Sequence, residues 1–238
     1  MKNALNKRGD RTSRRPGTVV KLTIAASCFV ASIAGGQDTK CPIDSMAPWA
    51  MVSRNWSREA GATWSNDSLR RALLALERRD QEPRREFGKR VGDTTYLRRL
   101  IQLDQETSAE VQGILDRFGL PTRSMVGAAG ASALFLVVQH SATLQQRVLD
   151  LAKRAPEGEV PPSALAMLED RVLANSGRPQ VYGTHFNITP AGLAKFAPIV
   201  DSRDLASRRE RAGLPPLDVY LCLVEESGLR VDRSTLPP

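Results

Sequence analysis

The chain has 238 residues, of which 41% are hydrophobic and 25% charged, enough apolar material for a core at an ordinary charge content. Its net charge of +8 invites a nucleic-acid reading, but residues 1–34 carry seven Lys/Arg and one acid, and so hold +6 of it. The remainder has 27 basic and 25 acidic residues, too balanced for the one-sided cationic face that phosphate binding needs, so nucleic acid is not expected as a partner.

Residues 1–21 are basic, and Leu22 to Ala34 is an apolar run of 13 that ends on the small residues Ser32-Ile33-Ala34. That order predicts a secretory signal peptide over 1–34 and an exported, periplasmic or extracellular protein. The run is shorter than the roughly 20 residues a bilayer requires, so no stable membrane span is expected after cleavage. Ser13-Arg14-Arg15 hints at twin-arginine export, but Pro16-Gly17-Thr18 follows where bulky apolar residues are wanted, which favours the general secretory route. Cys28 sits inside the apolar run and Cys41 follows Asp-Thr-Lys, so neither ends a convincing lipidation box. Loss of the leader leaves Cys41 and Cys222. In an oxidising compartment they can pair and tie the N-terminal arm to the last helix; two unpaired thiols are the equal alternative.

Residues 35–65 read as a flexible arm with little periodicity, although all three tryptophans, Trp49, Trp56 and Trp64, lie in it. Exposed indoles are unfavourable, so the arm is expected to dock on the domain at 66–238. A helix is predicted from Ser68 to about Gln81, with Leu69, Ala72, Leu73 and Leu76 on one face and Asp80 extending it. Pro83 ends or bends it. Leu97, Leu100 and Ile101 mark a second periodic segment, with Asp104 one turn on. Thr107-x-x-Glu110 reads as a capping box opening a further helix that stops at Gly119-Leu120-Pro121.

Met125 to Val138 is almost continuously apolar, a helix buried on most sides with Ser124 as its cap. Gln139 and His140 follow, and His140 shares a helical face with Leu144, Val148 and Leu151. Ser163 to Asn175 is the next helix, carrying Asp170 and Arg171 and ending before Gly177. Val181–Phe186 and Phe196–Val200 can pair as a short hairpin. A short helix near Asp204–Ala212 and a last one through Leu217, Tyr220, Leu221 and Val224 complete the chain. The fold class is mainly α: a single helical domain with at most one short β-hairpin.

The runs LDQETSAEVQGILDRFGLPTRSMVG, VVQH, LEDRV, GRPQVYGT and SRRERAGLPPLDVY, in that order, resemble a bacterial domain-of-unknown-function family, number 6624 in that series. The resemblance spans roughly residues 69–224. It implies no reaction, but its pattern selects Asp80, Arg84, Asp104, His140, Asp170, Arg171, Gln180, Tyr182, Gly183, Thr184 and Arg209. Leu120 stands where such sequences often have Trp, and His185 where they often have Gln. The second departure falls inside the candidate cluster and puts any role of that position in doubt.

His140 is the leading catalytic candidate, since imidazole exchanges protons near neutral pH, with Asp170 to orient it as a carboxylate orients the base of a hydrolytic triad. Arg171, Gln180, Tyr182, Thr184, His185, Arg209, Asp80, Arg84 and Asp104 are the binding candidates. The arginines offer an anion pocket. A metal site would draw on His140 and His185 with Asp80, Asp104 or Asp170, but no HxxxH, HxH or ExxH spacing exists, so no metal or cofactor is expected. Three functions compete: an exported, cofactor-free hydrolase using a His140/Asp170 pair; a non-catalytic module for an anionic small molecule or peptide; and a structural domain in which the polar cluster is a buried brace. Whether the chain is an enzyme stays open at this level.

Overall fold

The computed structural model describes residues 40–59, 62–90 and 92–236; the predicted signal peptide lies outside them. Among the described residues there are eight α-helices and one small three-stranded sheet, so the mainly α expectation holds. They are α1 (Pro48–Ser57), α2 (Asp67–Gln81), α3 (Thr94–Phe118), α4 (Arg123–Val138), α5 (Gln145–Lys153), α6 (Pro162–Asn175), α7 (Leu205–Arg211) and α8 (Leu217–Glu226). Among the described residues no helix is long and apolar enough to cross a membrane.

Helix α1 has no counterpart in the periodicity of the sequence. Pro48 starts it, and its single buried stripe is the pair Trp49 and Trp56, 6% and 8% exposed, two turns apart. Two large aromatics bury enough area to hold a ten-residue helix that propensity alone would not. The indole N–H of Trp56 donates to Ser132 Oγ at 3.1 Å, and Ser53 Oγ donates to the Gly213 carbonyl at 2.9 Å. The arm is therefore docked, as its tryptophans require, and helical rather than a plain tether.

Helix α2 presents Leu69, Leu73, Leu76 and Asp80 to the interior and continues into a 3-10 segment, Glu82–Lys89. Helix α3 is one unbroken rod of 25 residues, not two. Asp93 caps it by accepting from the Thr95 and Tyr96 amides. Thr107 caps nothing; its hydroxyl donates back to the Leu103 carbonyl at 2.9 Å, and the ladder simply passes through it. Helix α4 is kinked at Gly127, whose φ of 72° is left-handed. Beyond the kink Glu59 accepts from the Ala129 amide at 3.1 Å, so the arm supplies the cap there. Ser124 is instead bound to Glu159. The helix ends at Val138, which leaves His140 in the turn before α5 rather than on a continuing helical face.

The hairpin is displaced from its predicted register. Strand β1 (Phe186–Ile188) runs antiparallel to β2 (Leu193–Phe196), which runs parallel to β3 (Arg230–Val231). Of residues 181–186 only Phe186 enters a strand; the rest of that segment bonds to side chains, as described below.

Two apolar clusters divide the interior. One gathers Leu73, Val111, Leu134, Val138, Val148 and Leu168. The other gathers Leu100, Met167, Phe186, Phe196, Tyr220 and Val224 around the sheet. Helices α3 and α6 contribute to both, so Asp104 and Asp170-Arg171 lie where the clusters meet. A disulfide joins Cys41 to Cys222, with Cα atoms 5.7 Å apart and a sequence separation of 181. It pins the start of the arm to α8 beside Val219 and Leu223.

Candidate functional site

The polar residues form two groups with different occupations. The first is built on the end of α2, the 3-10 segment and α3. Asp80 is wholly buried, and a carboxylate there requires a partner. One turn on, Arg84 supplies it: Nη2 donates to Asp80 Oδ1 at 2.8 Å and Nε to Oδ2 at 3.3 Å. Gln81 adds a bond to Oδ2 at 2.7 Å. Arg84 also donates to Asp104, which crosses from α3. Arg84 is thus bracketed by two carboxylates, and both hold its guanidinium firmly charged against the opposing effect of burial.

Asp104 differs from Asp80 in being open, with 28% of its side chain exposed. Burial still pushes its carboxyl above the usual range, although Arg84 and Arg171 pull the other way. His140 Nε2 lies 3.8 Å from Asp80 Oδ2, and the imidazole is 1% exposed. Burial first, then the guanidinium groups of Arg84 and Arg171, hold it well below 6.5. It is neutral at neutral pH, and neither ring nitrogen has a hydrogen-bond partner among the described residues.

Asp104 and His140 both border a cleft of about 470 Å³ between α3 and the 139–144 turn. Ser108, Gln112 and Thr143 line it with them. These cleft residues were not among the sequence candidates. Asp104, Ser108 and Gln112 fall at i, i+4 and i+8 on one face of α3, a periodic polar stripe that the apolar pattern overshadowed.

The second group holds a loop in place. Asp170 Oδ1 accepts from the Val181 and Tyr182 amides at 2.6 and 2.9 Å. Its Oδ2 accepts from the Thr184 amide and hydroxyl at 2.9 and 2.8 Å. Burial pushes this carboxyl up despite those donors. The Gln180 side chain donates to the Ala197 and His185 carbonyls and accepts from the His185 amide. Arg209 donates to the carbonyls of Pro215, Tyr182 and Gly183, and burial lowers it to about 10. Tyr220 donates to the Thr184 carbonyl at 2.7 Å. His185 is buried, lowered to about 3 by burial and then by Arg171. The Tyr182 ring is half-buried against the second apolar cluster.

The sequence expectation is corrected in two respects. Asp170 does not orient His140, because its oxygens are committed to the 181–184 loop, and the carboxylate beside His140 is Asp80. Arg84 and Arg209 do not form an anion pocket: the first is paired with two carboxylates and the second with backbone carbonyls. Arg171, 3% exposed, lies between the groups, since its charge acts on Asp104 and His140 on one side and on His185 and Tyr220 on the other. Among the described residues no set of three or more His, Cys, Asp or Glu is arranged to hold a metal ion.

Comparison with known proteins returns one finding. No curated protein and no solved structure matches the chain. The family model described as Family of unknown function (DUF6624) matches residues 67–232, the span from the start of α2 to the end of β3 that contains both polar groups, and the chain belongs to that family.

Proposed function

We propose that the chain is an exported, cofactor-free enzyme of hydrolytic type whose working site is the Asp104–His140 cleft. The observation that carries this reading is Asp104 itself. It is a carboxyl held above its usual range at the mouth of a cleft, with a neutral imidazole beneath the same wall. A raised carboxyl can donate a proton and a neutral imidazole can accept one, the pairing that general acid–base hydrolysis uses. The cleft wall mixes the amides and hydroxyls of Gln105, Ser108, Gln112 and Thr143 with the apolar Ile101, Ala109, Ala142 and Leu144, and the charged side chain that lines it is a carboxylate, so the substrate that fits is an uncharged one with both polar and apolar parts, such as a peptide, rather than an anion. Asp170, Gln180 and Arg209 act in this reading as the brace that fixes the second half of the domain. The Cys41–Cys222 disulfide supports export, because such bonds persist in oxidising compartments.

A non-catalytic binding module is the second reading. The imidazole nitrogens favour it, because both are covered by protein, and proton transfer through them requires the cleft wall to open. The test is a panel of chromogenic ester, peptide and glycoside substrates, with Asp104→Asn and His140→Gln as paired controls. Turnover lost in both variants supports the enzyme. Polar fragments that shift the amide signals of Ser108, Gln112 and Thr143 without turnover support the module. Fragments that bind only away from these residues overturn both.

A further inference from the structure

A second cavity, of about 280 Å³, lies under the docked arm, between α1, the kinked start of α4 and the Pro161-Pro162 entry to α6. Its walls are largely apolar, with Trp56, Leu136 and Met167 among them, and the ionisable side chains lining it are two carboxylates, Glu59 and Glu77. Glu59 is occupied, paired with Arg70 at 2.8 Å and accepting from the Ala129 amide. Glu77 is not: it makes no hydrogen bond and no ion pair among the described residues, although it is half-buried. Burial and the neighbouring Asp80 both push its carboxyl up, only partly offset by Arg78. An unpaired carboxylate in an apolar recess costs free energy that a cation entering the recess returns.

We propose that this cavity is a binding site for a small organic ammonium ion, with Glu77 as the counter-ion and Trp56 as part of its apolar wall. The site is separate from the Asp104–His140 cleft and does not depend on what that cleft does. Its volume sits at the lower end of ligand pockets, which selects an amine carrying one ring or a short chain. The charge requires that the amine be protonated. The Trp56 N–H is already spent on Ser132, so the indole contributes contact area, and the Ser57 and Ser163 hydroxyls that line the cavity can accept hydrogen bonds from the remaining ammonium N–H groups.

The experiment is a titration of the full-length protein at pH 7 with benzylamine and, separately, with benzyl alcohol, its neutral isostere. The readout is the Trp56 indole N–H signal in a nitrogen–proton NMR spectrum, assigned through Trp56→Phe. Benzylamine is expected to shift that signal and to bind at least about tenfold more tightly than the alcohol, the strength of one charge-assisted hydrogen bond. In Glu77→Gln, with the same melting temperature and the same spectrum elsewhere, the two ligands are expected to bind alike. No shift with benzylamine, equal affinities in the unsubstituted protein, or a preference that survives Glu77→Gln each overturn the proposal.

Discussion

Asp80 Oδ2 and His140 Nε2 lie 3.8 Å apart, with both side chains 1% exposed or less, yet the imidazole stays neutral. A carboxylate so close ordinarily charges a histidine. Here Asp80 is already neutralised by a bidentate Arg84, and Arg171 adds a second positive field at the ring. The ion pair therefore shields the imidazole from the buried carboxylate beside it, and burial decides the outcome. His140 is poised as a proton acceptor without being a cation, the state the proposed chemistry needs.

The two histidines give the domain a definite response to acid. His140 is held well below 6.5 and His185 at about 3, so between those values and 6.5 the unfolded chain binds protons that the folded chain refuses. Stability is fully present above 6.5 and falls as the pH drops below it, by about 1.4 kcal/mol per pH unit for each histidine at most. Asp104, Asp170 and Glu77, pushed up by burial, hold protons more readily in the folded chain than in the unfolded one and act in the opposite sense. Urea unfolding at pH 7, 6 and 5 should show the loss, and His185→Gln should remove about half of the slope. A flat profile from pH 7 to 5 would mean that neither ring is kept neutral.

Asp170 is the keystone of the 181–184 loop. Asp170→Ala strands three backbone amides, those of Val181, Tyr182 and Thr184, in a setting that water barely reaches. The expected loss is about 3–5 kcal/mol, the cost of breaking a buried charged network from one side. Asp170→Asn keeps the shape and should cost less. The urea midpoint measures both. A loss below about 1 kcal/mol for Asp170→Ala would show that the loop is held by Gln180 and Arg209 alone.

The disulfide makes a prediction that thiol counting settles. Residues 35–238 produced in an oxidising compartment should titrate no free thiol when denatured without reductant, and two after reduction. Two thiols before reduction would rule the Cys41–Cys222 bond out. Closing a loop of this length confines the unfolded chain strongly, so Cys41→Ser with Cys222→Ser should lower stability by about 2–4 kcal/mol.

How much of this was legible in the sequence differs from place to place. The buried face of α2 was readable through to Asp80 because apolar spacing and helical period agree there. Helix α1 was not, because its stripe is two tryptophans a full two turns apart, too sparse to register as a period. Thr107-x-x-Glu110 has the form of a cap, but a cap signal competes with the ladder on either side of it, and Asp93 had already started the helix. Asp104 follows Leu100 by one turn of α3, as its spacing predicts, whereas His140 lies in the turn after α4 and not on the helical face that its spacing from Leu144 suggests. The choice of Asp170 over Asp80 as the partner of His140 failed for a physical reason: spacing along the chain says which residues share a face, not which of two carboxylates the fold brings across. The occupation of Asp170 by backbone amides is likewise invisible until the loop has a shape.

Gly183 is the point where that loop shape is most exposed to a test. Its φ is +69°, a left-handed conformation, and a Cβ added there would lie 2.7 Å from Ile199 Cδ1. Gly119, at the end of α3, has nearly the same φ, +70°, but open space around it. Gly119→Ala should therefore cost only the backbone term, about 1–3 kcal/mol at its ψ of −155°. Gly183→Ala adds the clash. Because Gly183 lies between Tyr182 and Thr184, whose amides Asp170 holds, the loop cannot retreat without breaking those bonds, so Ile199 must move or the amides must let go. Its loss should exceed that of Gly119→Ala by about 1 kcal/mol or more. Equal losses in paired urea titrations would show that the Ile199 methyl simply swings aside and that the 181–184 loop tolerates a bulkier residue at its centre.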